Sequence, residues 1–363
     1  MLRIFNFVII IQDVQTMTAI SELGEFGLIR HLTENIKSKN DSTTFGIGDD
    51  CAVLDYCDRR TLVTSDMLME GIHFDLVYTP LKHLGYKAAV VNFSDIYAMN
   101  GTPRQLIVNI AVSRRFSVEN LDDIYSGLLL ACERYGVDLV GGDTSASVTG
   151  LALSLTCIGD AKAEDVVYRH GAKETDLICV SGNLGAAYLG LQLLEREKKV
   201  FEGKNIDETS AQPDFSGHEY LLERFLKPEA RKDIVERLRD AGIRPTSMID
   251  ISDGLSSELL HICKASQTGC RIYEERLPLD YQTALCAEEF NMNVSTCALN
   301  GGEDYELLFT VPLTDHDKIA QIDDVREIGY ITKAELGTAL IGRGDAEEIP
   351  LRAQGWDAAE SGK

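Results

Sequence analysis

Ile249-Asp250-Ile251-Ser252-Asp253-Gly254-Leu255 joins a strand-like apolar run, Ser247–Ile251, to a helix-like run, Leu255–Cys263. A strand that turns through Ser and Gly into a helix presents backbone N–H groups at the helix start. The partial positive charge there suits a phosphate. Asp253 has the place of a helix N-cap. A cap does not account for Asp250, which closes the strand, so the two carboxylates bracket the phosphate seat and predict a metal bridge.

Five more acidic clusters recur along the chain: Gly48-Asp49-Asp50, Thr64-Ser65-Asp66, Asn92-Phe93-Ser94-Asp95, Gly141-Gly142-Asp143-Thr144 and Gly301-Gly302-Glu303-Asp304. Each is predicted at the end of a strand or helix, where small neighbours let backbone approach a phosphate or an ion. A single aspartate in such a place is ordinary. Several converging on one cleft repel each other unless divalent cations hold them, and an oxygen-only ligand set suits Mg²⁺. The chain has no GxxxxGK[ST] loop, no HRD or DFG set and no HExxH. Phosphoryl chemistry here must therefore rest on metal and helix termini.

The bulk composition sets limits on partners. At 363 residues, 44% hydrophobic and 26% charged, the chain suits a two-domain globular protein. A net charge of −23 argues against nucleic acid as a partner. No apolar run reaches membrane-spanning length. The nine cysteines show no CxxC pair and no Cys/His metal spacing, which predicts free thiols in a reducing cytoplasm.

Residues 1–18 read as a poorly ordered extension, with Met17 preceding a helix over Ser21–Ile36. Strands are expected at Thr61–Ser65, Leu106–Val112, Val137–Val140 and Leu151–Ile158, with helices at Leu81–Met99 and Val118–Tyr135. A second unit begins near Val166, with strands at Asp176–Ser181, Ser247–Ile251 and Tyr305–Val311 and helices through Leu194 and over Arg231–Ala241. Residues 195–217 are polar and loop-like, the expected mobile segment. Strands and helices alternate without a strict βαβ rhythm, so the fold class is α/β plus α+β. The expected domains are 19–164 and 165–363.

The ordered set of motifs, Gly48-Asp49-Asp50-Cys51-Ala52, Thr64-Ser65-Asp66-Met67-Leu68, Gly71-Ile72-His73-Phe74, Asn92-Phe93-Ser94-Asp95, Gly141-Gly142-Asp143-Thr144, the stretch around Asp250, and Gly301-Gly302-Glu303-Asp304-Tyr305-Glu306, resembles the thiamine-monophosphate kinase family from about Gly24 to Asp357. The resemblance implies an aminoimidazole ribonucleotide synthetase-like fold whose N-terminal sheet pairs across a homodimer. It implies transfer of a phosphoryl group from ATP to thiamine monophosphate. It assigns Asp50, Thr64, Ser65, Asp66, Asp95, Asp143, Asp250 and Asp253 to several Mg²⁺ ions. Tyr125, Gly142, Asp143, Arg169 and Ser252 fall to the nucleotide, and His73, Glu303 and Trp356 to the acceptor. Arg169 joins the aspartates as a catalytic group. The chain departs from the family after Trp356, where Ala358-Ala359 replace a His and a distal Phe follows nowhere.

Other readings are distinguishable. A selenophosphate synthetase would carry a reactive Cys beside a Lys near its N-terminus, a phosphatase would need no ATP, and an EF-hand would show D-x-[DN]-x-[DN]-G.

Overall fold

The computed structural model describes residues 43–45, 49–55, 58–202, 215–344 and 348–353. The extension, the helix expected over 21–36, Gly48 and Trp356 lie outside them. All described residues belong to one compact unit.

The first sheet is built from β1 (Thr43–Phe45), β2 (Ala52–Asp55), β3 (Arg59–Met69), β4 (Thr102–Val112), β5 (Asp138–Ala146) and β6 (Ala152–Lys162), in the order β1-β2-β3-β6-β4-β5. β3 is far longer than the predicted five-residue strand, because every residue from Arg59 to Met69 finds a partner on β6. Thr64, Ser65 and Asp66 therefore lie inside a strand, not at its end. The same holds for Gly141-Gly142-Asp143-Thr144, which lie within β5. A bulge opposite Leu106 and Ile107 lets β4 pair with β5 on both sides of Val140.

One face of this sheet carries two helices, α1 (Leu81–Ala98) and α2 (Val118–Tyr135). Ser117 starts α2 by accepting the Asn120 N–H, while Asn120 accepts the Ser117 N–H in return. Gly136, at φ 73°, ends it in the left-handed cap that glycine adopts without strain. α1 is buried on nearly every side, from Leu84 through Ala98. Gly85 and Gly127 let the two helices touch. A Cβ on Gly85 would lie 1.9 Å from the Ile124 carbonyl oxygen, and one on Gly127 the same distance from that of Lys82.

The second sheet comprises β7 (Leu177–Ser181), β8 (Ser247–Asp250), β9 (Thr268–Tyr273), β10 (Leu307–Val311), β11 (Val325–Lys333), β12 (Thr338–Ile341) and β13 (Glu348–Pro350), ordered β13-β12-β9-β11-β7-β10-β8. Around it lie α3 (Ala186–Glu202), α4 (Glu219–Leu226), α5 (Lys232–Asp240), α6 (Leu255–Ser266), α7 (Tyr281–Glu289), α8 (Val294–Asn300) and the short α9 (His316–Ile319). One apolar core joins the two sheets, with Leu106 and Val108 of the first and Met248, Phe309 and Val311 of the second in the same cluster. The polar stretch expected to be loop from residue 195 is helical through Glu202. It is pinned there by Tyr78 Oη donating to Glu195 at 2.8 Å and by Lys198 on Asp75 at 2.6 Å. Residues 203–214 of that stretch are outside the described residues.

The close helix contact gives a direct test. Gly127→Ala forces a methyl group into the Lys82 carbonyl, and overpacking of this kind costs about 1–3 kcal/mol. Urea denaturation should show the loss as a lower midpoint at unchanged slope. An unchanged midpoint would mean that α1 and α2 are not packed this tightly.

Candidate active site

The site forms where the end of β8 meets a loop from the same sheet and the last two turns of α1. β8 delivers Asp250 opposite Leu307 of β10. Past the strand ends the pairing continues through main-chain bonds: Ile251 N–H to Glu306 O (2.7 Å), Tyr305 N–H to Ile251 O (2.9 Å) and Glu303 N–H to Ser252 O (2.7 Å). Gly302 is needed there, since its Cβ would lie 2.3 Å from the Ser252 carbonyl oxygen. Glu303 and Tyr305 both adopt left-handed φ, 70° and 51°. Such backbone is costly away from glycine and gathers at functional sites.

α1 brings Ser94 and Asp95 against this turn. Ser94 Oγ donates to Asp250 Oδ2 at 2.5 Å, and Thr64 on β3 donates to Asp95. Asp50, Asp95 and Asp250 each offer a carboxylate oxygen within 4.8 Å of the others. Arg169 closes one end, with Nε and one terminal nitrogen donating to the two Asp50 oxygens at 2.8 and 2.6 Å, while its backbone N–H donates to Asp49 at 3.1 Å. Such a two-pronged pair fixes direction as well as charge.

The carboxylates are strongly perturbed. Burial, then the Asp50 charge, pushes Asp250 up to about 7, against the pull of the Ser94 hydroxyl and Arg169. Burial, then Glu303 and Asp50, raises Asp66 to about 6. Asp95 is driven well above the carboxylate range by burial and by Asp66, Asp250 and Asp50. Asp49 rises to about 7 through burial and Asp50. Like charges packed this closely call for a cation, and oxygen-only donors fit a hard divalent ion. The residues present therefore fit Mg²⁺.

The expected residues divide into two groups. Asp50, Thr64, Asp66, Asp95, Asp250 and Arg169 come together. Asp253 lies beside them, its own pKa raised by burial and by Glu303. It is not the cap of α6: Gly254 holds that position, and the Asp253 N–H is taken by Glu258 Oε1 at 3.0 Å. Ser65 lies on the opposite face of β3 from this cluster, because side chains alternate along a strand. Thr64 faces the buried side of β3, whereas the Ser65 hydroxyl bonds Leu155 O at 2.8 Å and faces Thr156.

Asp143 is likewise separated. It pairs with Asn109 and lies in one cross-sheet row with Ser154 and Met67, one register step beyond Asp66 and three strands away. That places it roughly 14 Å off, on the exposed face shared with Ser65. Among the described residues neither Asp143 nor Tyr125, half-buried on α2, hydrogen-bonds to the cluster. Gly142 lies against Val108, where a Cβ would sit 1.8 Å from the carbonyl oxygen. Ser252 contributes its carbonyl to the Glu303 turn.

His73 and Glu303 form a second focus. Met69 N–H donates to His73 Nδ1 at 3.0 Å, so a neutral ring carries its proton on Nε2. Burial holds the His73 pKa below its usual value, with Lys87 adding to the drop and Glu303 opposing it. Three participants were not singled out from the sequence. Lys87 ion-pairs with Glu303. Asp49 anchors the Arg169 backbone, and Glu258 holds Asp253. A Lys seven residues before Ser94, on an otherwise apolar helix face, was the available signal for the first. Asp304 serves the fold: its carboxylate accepts the Gly185 and Ala187 N–H groups at the start of α3.

Two sheets sharing one core, with a carboxylate cleft beside β8, define a protein of the aminoimidazole ribonucleotide synthetase-like class. The family model described as AIR synthase related protein, N-terminal domain, matches residues 48–161. The chain is 34% identical to the thiamine-monophosphate kinase of Aquifex aeolicus over 87% of its length and 94% of the relative's. Against the Bacillus subtilis enzyme of that name the identity is 31%, over 92% and 99%. A solved structure described as AaThiL complexed with AMPPCP and TMP superposes with a TM-score of 0.79 at 32% identity, covering 94% of this chain and 99% of that one. The chain belongs to the thiamine-monophosphate kinase family.

The raised carboxylates have a sign that can be checked. A folded Asp250 near 7 and Asp66 near 6, against an ordinary 3.8, favour the folded state at low pH. Without metal, that contribution is full below about 4 and is lost as pH rises through about 6–7. Thermal midpoints with chelator should therefore fall between pH 5 and pH 8 by more in the wild type than in Asp250→Asn, and Mg²⁺ should restore the wild type chiefly at pH 8. Identical pH dependence in the two proteins would refute the buried-carboxylate picture.

Proposed function

We propose that the protein transfers the γ-phosphoryl group of ATP to thiamine monophosphate, giving thiamine diphosphate and ADP, by direct in-line displacement. The observation that carries the reading is the packing of Asp50, Asp95 and Asp250 within 4.8 Å, in a chain of this family. AMPPCP, an ATP analogue, and TMP are held together by the relative of the same fold. The acceptor oxygen belongs to a phosphate monoester whose second pKa is about 6, so it is largely ionised at neutral pH. It needs no general base, and His73, with Nδ1 occupied by a backbone N–H, presents a donor instead.

Asp50, Asp66, Asp95, Asp250 and Asp253, with the Thr64 hydroxyl, are the proposed Mg²⁺ positions. Several bound Mg²⁺ ions would neutralise two polyanions and stabilise charge on the transferring group. Arg169 marks the nucleotide end, with Ser252, Gly142, Asp143 and Tyr125 proposed to contact the nucleotide. His73 and Glu303 mark the acceptor end, and Trp356 is the remaining proposed acceptor contact. The work of the protein is positioning and electrostatics.

The two domains are proposed to divide near residue 164, and the molecule to act as a homodimer in the cytoplasm. Free, buried thiols at the described cysteines suit a reducing compartment, and no helix among the described residues is long and apolar enough to cross a membrane. The dimer reading is supported by the outer face of β3, where Met67 and Met69 are 58% and 39% exposed beside Ser65. Pairing this face across two copies would cover those side chains and bring Ser65 and Asp143 to the interface, as proposed Mg²⁺ residues there.

Two measurements test this. Purified protein with ATP, thiamine monophosphate and Mg²⁺ should form thiamine diphosphate and ADP in equal amounts, and Asp250→Asn or chelator should abolish both. ADP without thiamine diphosphate would move the acceptor elsewhere, and phosphate release without ATP would favour a phosphatase. Sedimentation should give twice the chain mass for the wild type and the single-chain mass for Met67→Glu; a monomeric wild type would remove the dimer.

A further inference from the structure

Lys87 lies on α1 two helical turns before Asp95, roughly 12 Å along the axis from the carboxylate cluster. Its side chain is 6% exposed, and it ion-pairs with Glu303. The ammonium also donates to the Phe225 carbonyl at 3.1 Å and stands 4.1 Å over the Phe225 ring. Leaving this position would forfeit a hydrogen bond, a cation–π contact and an ion pair together. Lys87 is therefore a fixed cation, not an arm that swings toward a ligand.

Glu303, its partner, is held at both carboxylate oxygens. The Tyr305 hydroxyl donates to Oε1 at 3.3 Å while Lys87 faces Oε2. The left-handed backbone at Glu303 is secured by α4, whose adjacent residues brace the two partners. Phe225 seats Lys87. Arg224 donates to the Asp304 and Asn183 carbonyls at 3.0 and 3.2 Å and pairs with Glu306 at 2.9 Å. The Glu303 side chain remains a third exposed. A carboxylate accepts about four hydrogen bonds, so this one keeps capacity for a ligand.

We infer that Lys87 is a positioning residue that fixes the Glu303 carboxylate as the seat for the cationic ring of the acceptor. This rests on the kinase reading above. Thiamine monophosphate is a zwitterion: its phosphate belongs with the metal-binding aspartates, and its thiazolium needs an anion of its own. Glu303 supplies that anion, set between Asp66 and His73, on both of which its charge acts. Lys87 holds the carboxylate aimed, and touches no substrate.

Steady-state kinetics of wild type, Lys87→Met, Glu303→Gln and the double variant test this with two acceptors. One is thiamine monophosphate; the other has an uncharged thiophene in place of the thiazolium. Each single change should raise KM for thiamine monophosphate about tenfold or more, the scale of a charge-assisted contact. KM for ATP and for the neutral-ring acceptor should stay within about twofold. The double variant should be no worse than the worse single one, because Lys87 acts through Glu303. Equal losses on both acceptors, or losses that multiply in the double variant, overturn the inference. If Lys87→Met does not fold, Glu303→Gln decides alone: no selective loss on the cationic acceptor overturns it. A wild type that turns over neither acceptor fails the kinase reading itself, and this inference with it.

Discussion

Mutual repulsion among the carboxylates of Asp50, Asp66, Asp95 and Asp250 is the constraint to which the rest of the molecule answers. Burial removes the solvent that would screen them, and their mutual charge raises the proton affinity of Asp66, Asp95 and Asp250. The fold holds them together through groups on separate elements: Ser94 on Asp250, Thr64 on Asp95 and Arg169 on Asp50. None of these bonds is local in sequence. Any ion or ligand that binds only the folded cleft stabilises it by mass action.

α1 carries most of that organisation. It is buried nearly all round because it packs at once on the first sheet, on α2 and on β8. A polar group on a helix so enclosed is costly without a partner, and among the described residues the Asn92 amide oxygen and Tyr97 hydroxyl carry that cost. Lys87, Ser94 and Asp95 each have a partner, in Glu303, Asp250 and Thr64. The same rigid rod thus spaces Lys87 and its Glu303 partner from Asp95, at a separation set by helix geometry and not by side-chain flexibility.

The two fixed cations give the cleft its direction. Arg169 pairs with Asp50 at one end and Lys87 with Glu303 at the other, each anchored by its own second contact. Both ends draw on the second sheet and the segment leading into it, while the aspartates between them come from both sheets. The strained Glu303-Asp304-Tyr305 backbone is maintained by the buried ionic network of Arg224, Arg231 and Glu306. Strain of this sort persists only where the surroundings over-determine it.

The sequence by itself determined the family, because its Gly-, Ser- and Thr-flanked aspartate motifs stand in the order found in thiamine-monophosphate kinases. It also located most helices and strands, whose apolar spacing is a local property. What it misplaced depended on pairing between distant segments. β3 and β5 run through their acidic motifs because β6 and β4 supply partners along their length, and no local signal records that. Alternation within β3 then turned Ser65 away from Thr64, and strand order set Asp143 apart from Asp66. Polar residues 195–202 continue a helix because Tyr78 and Asp75 meet them. Only the tertiary structure decided which carboxylates share one cleft, since that depends on which faces of separate elements meet, and a residue's neighbours in sequence do not fix its neighbours across a core.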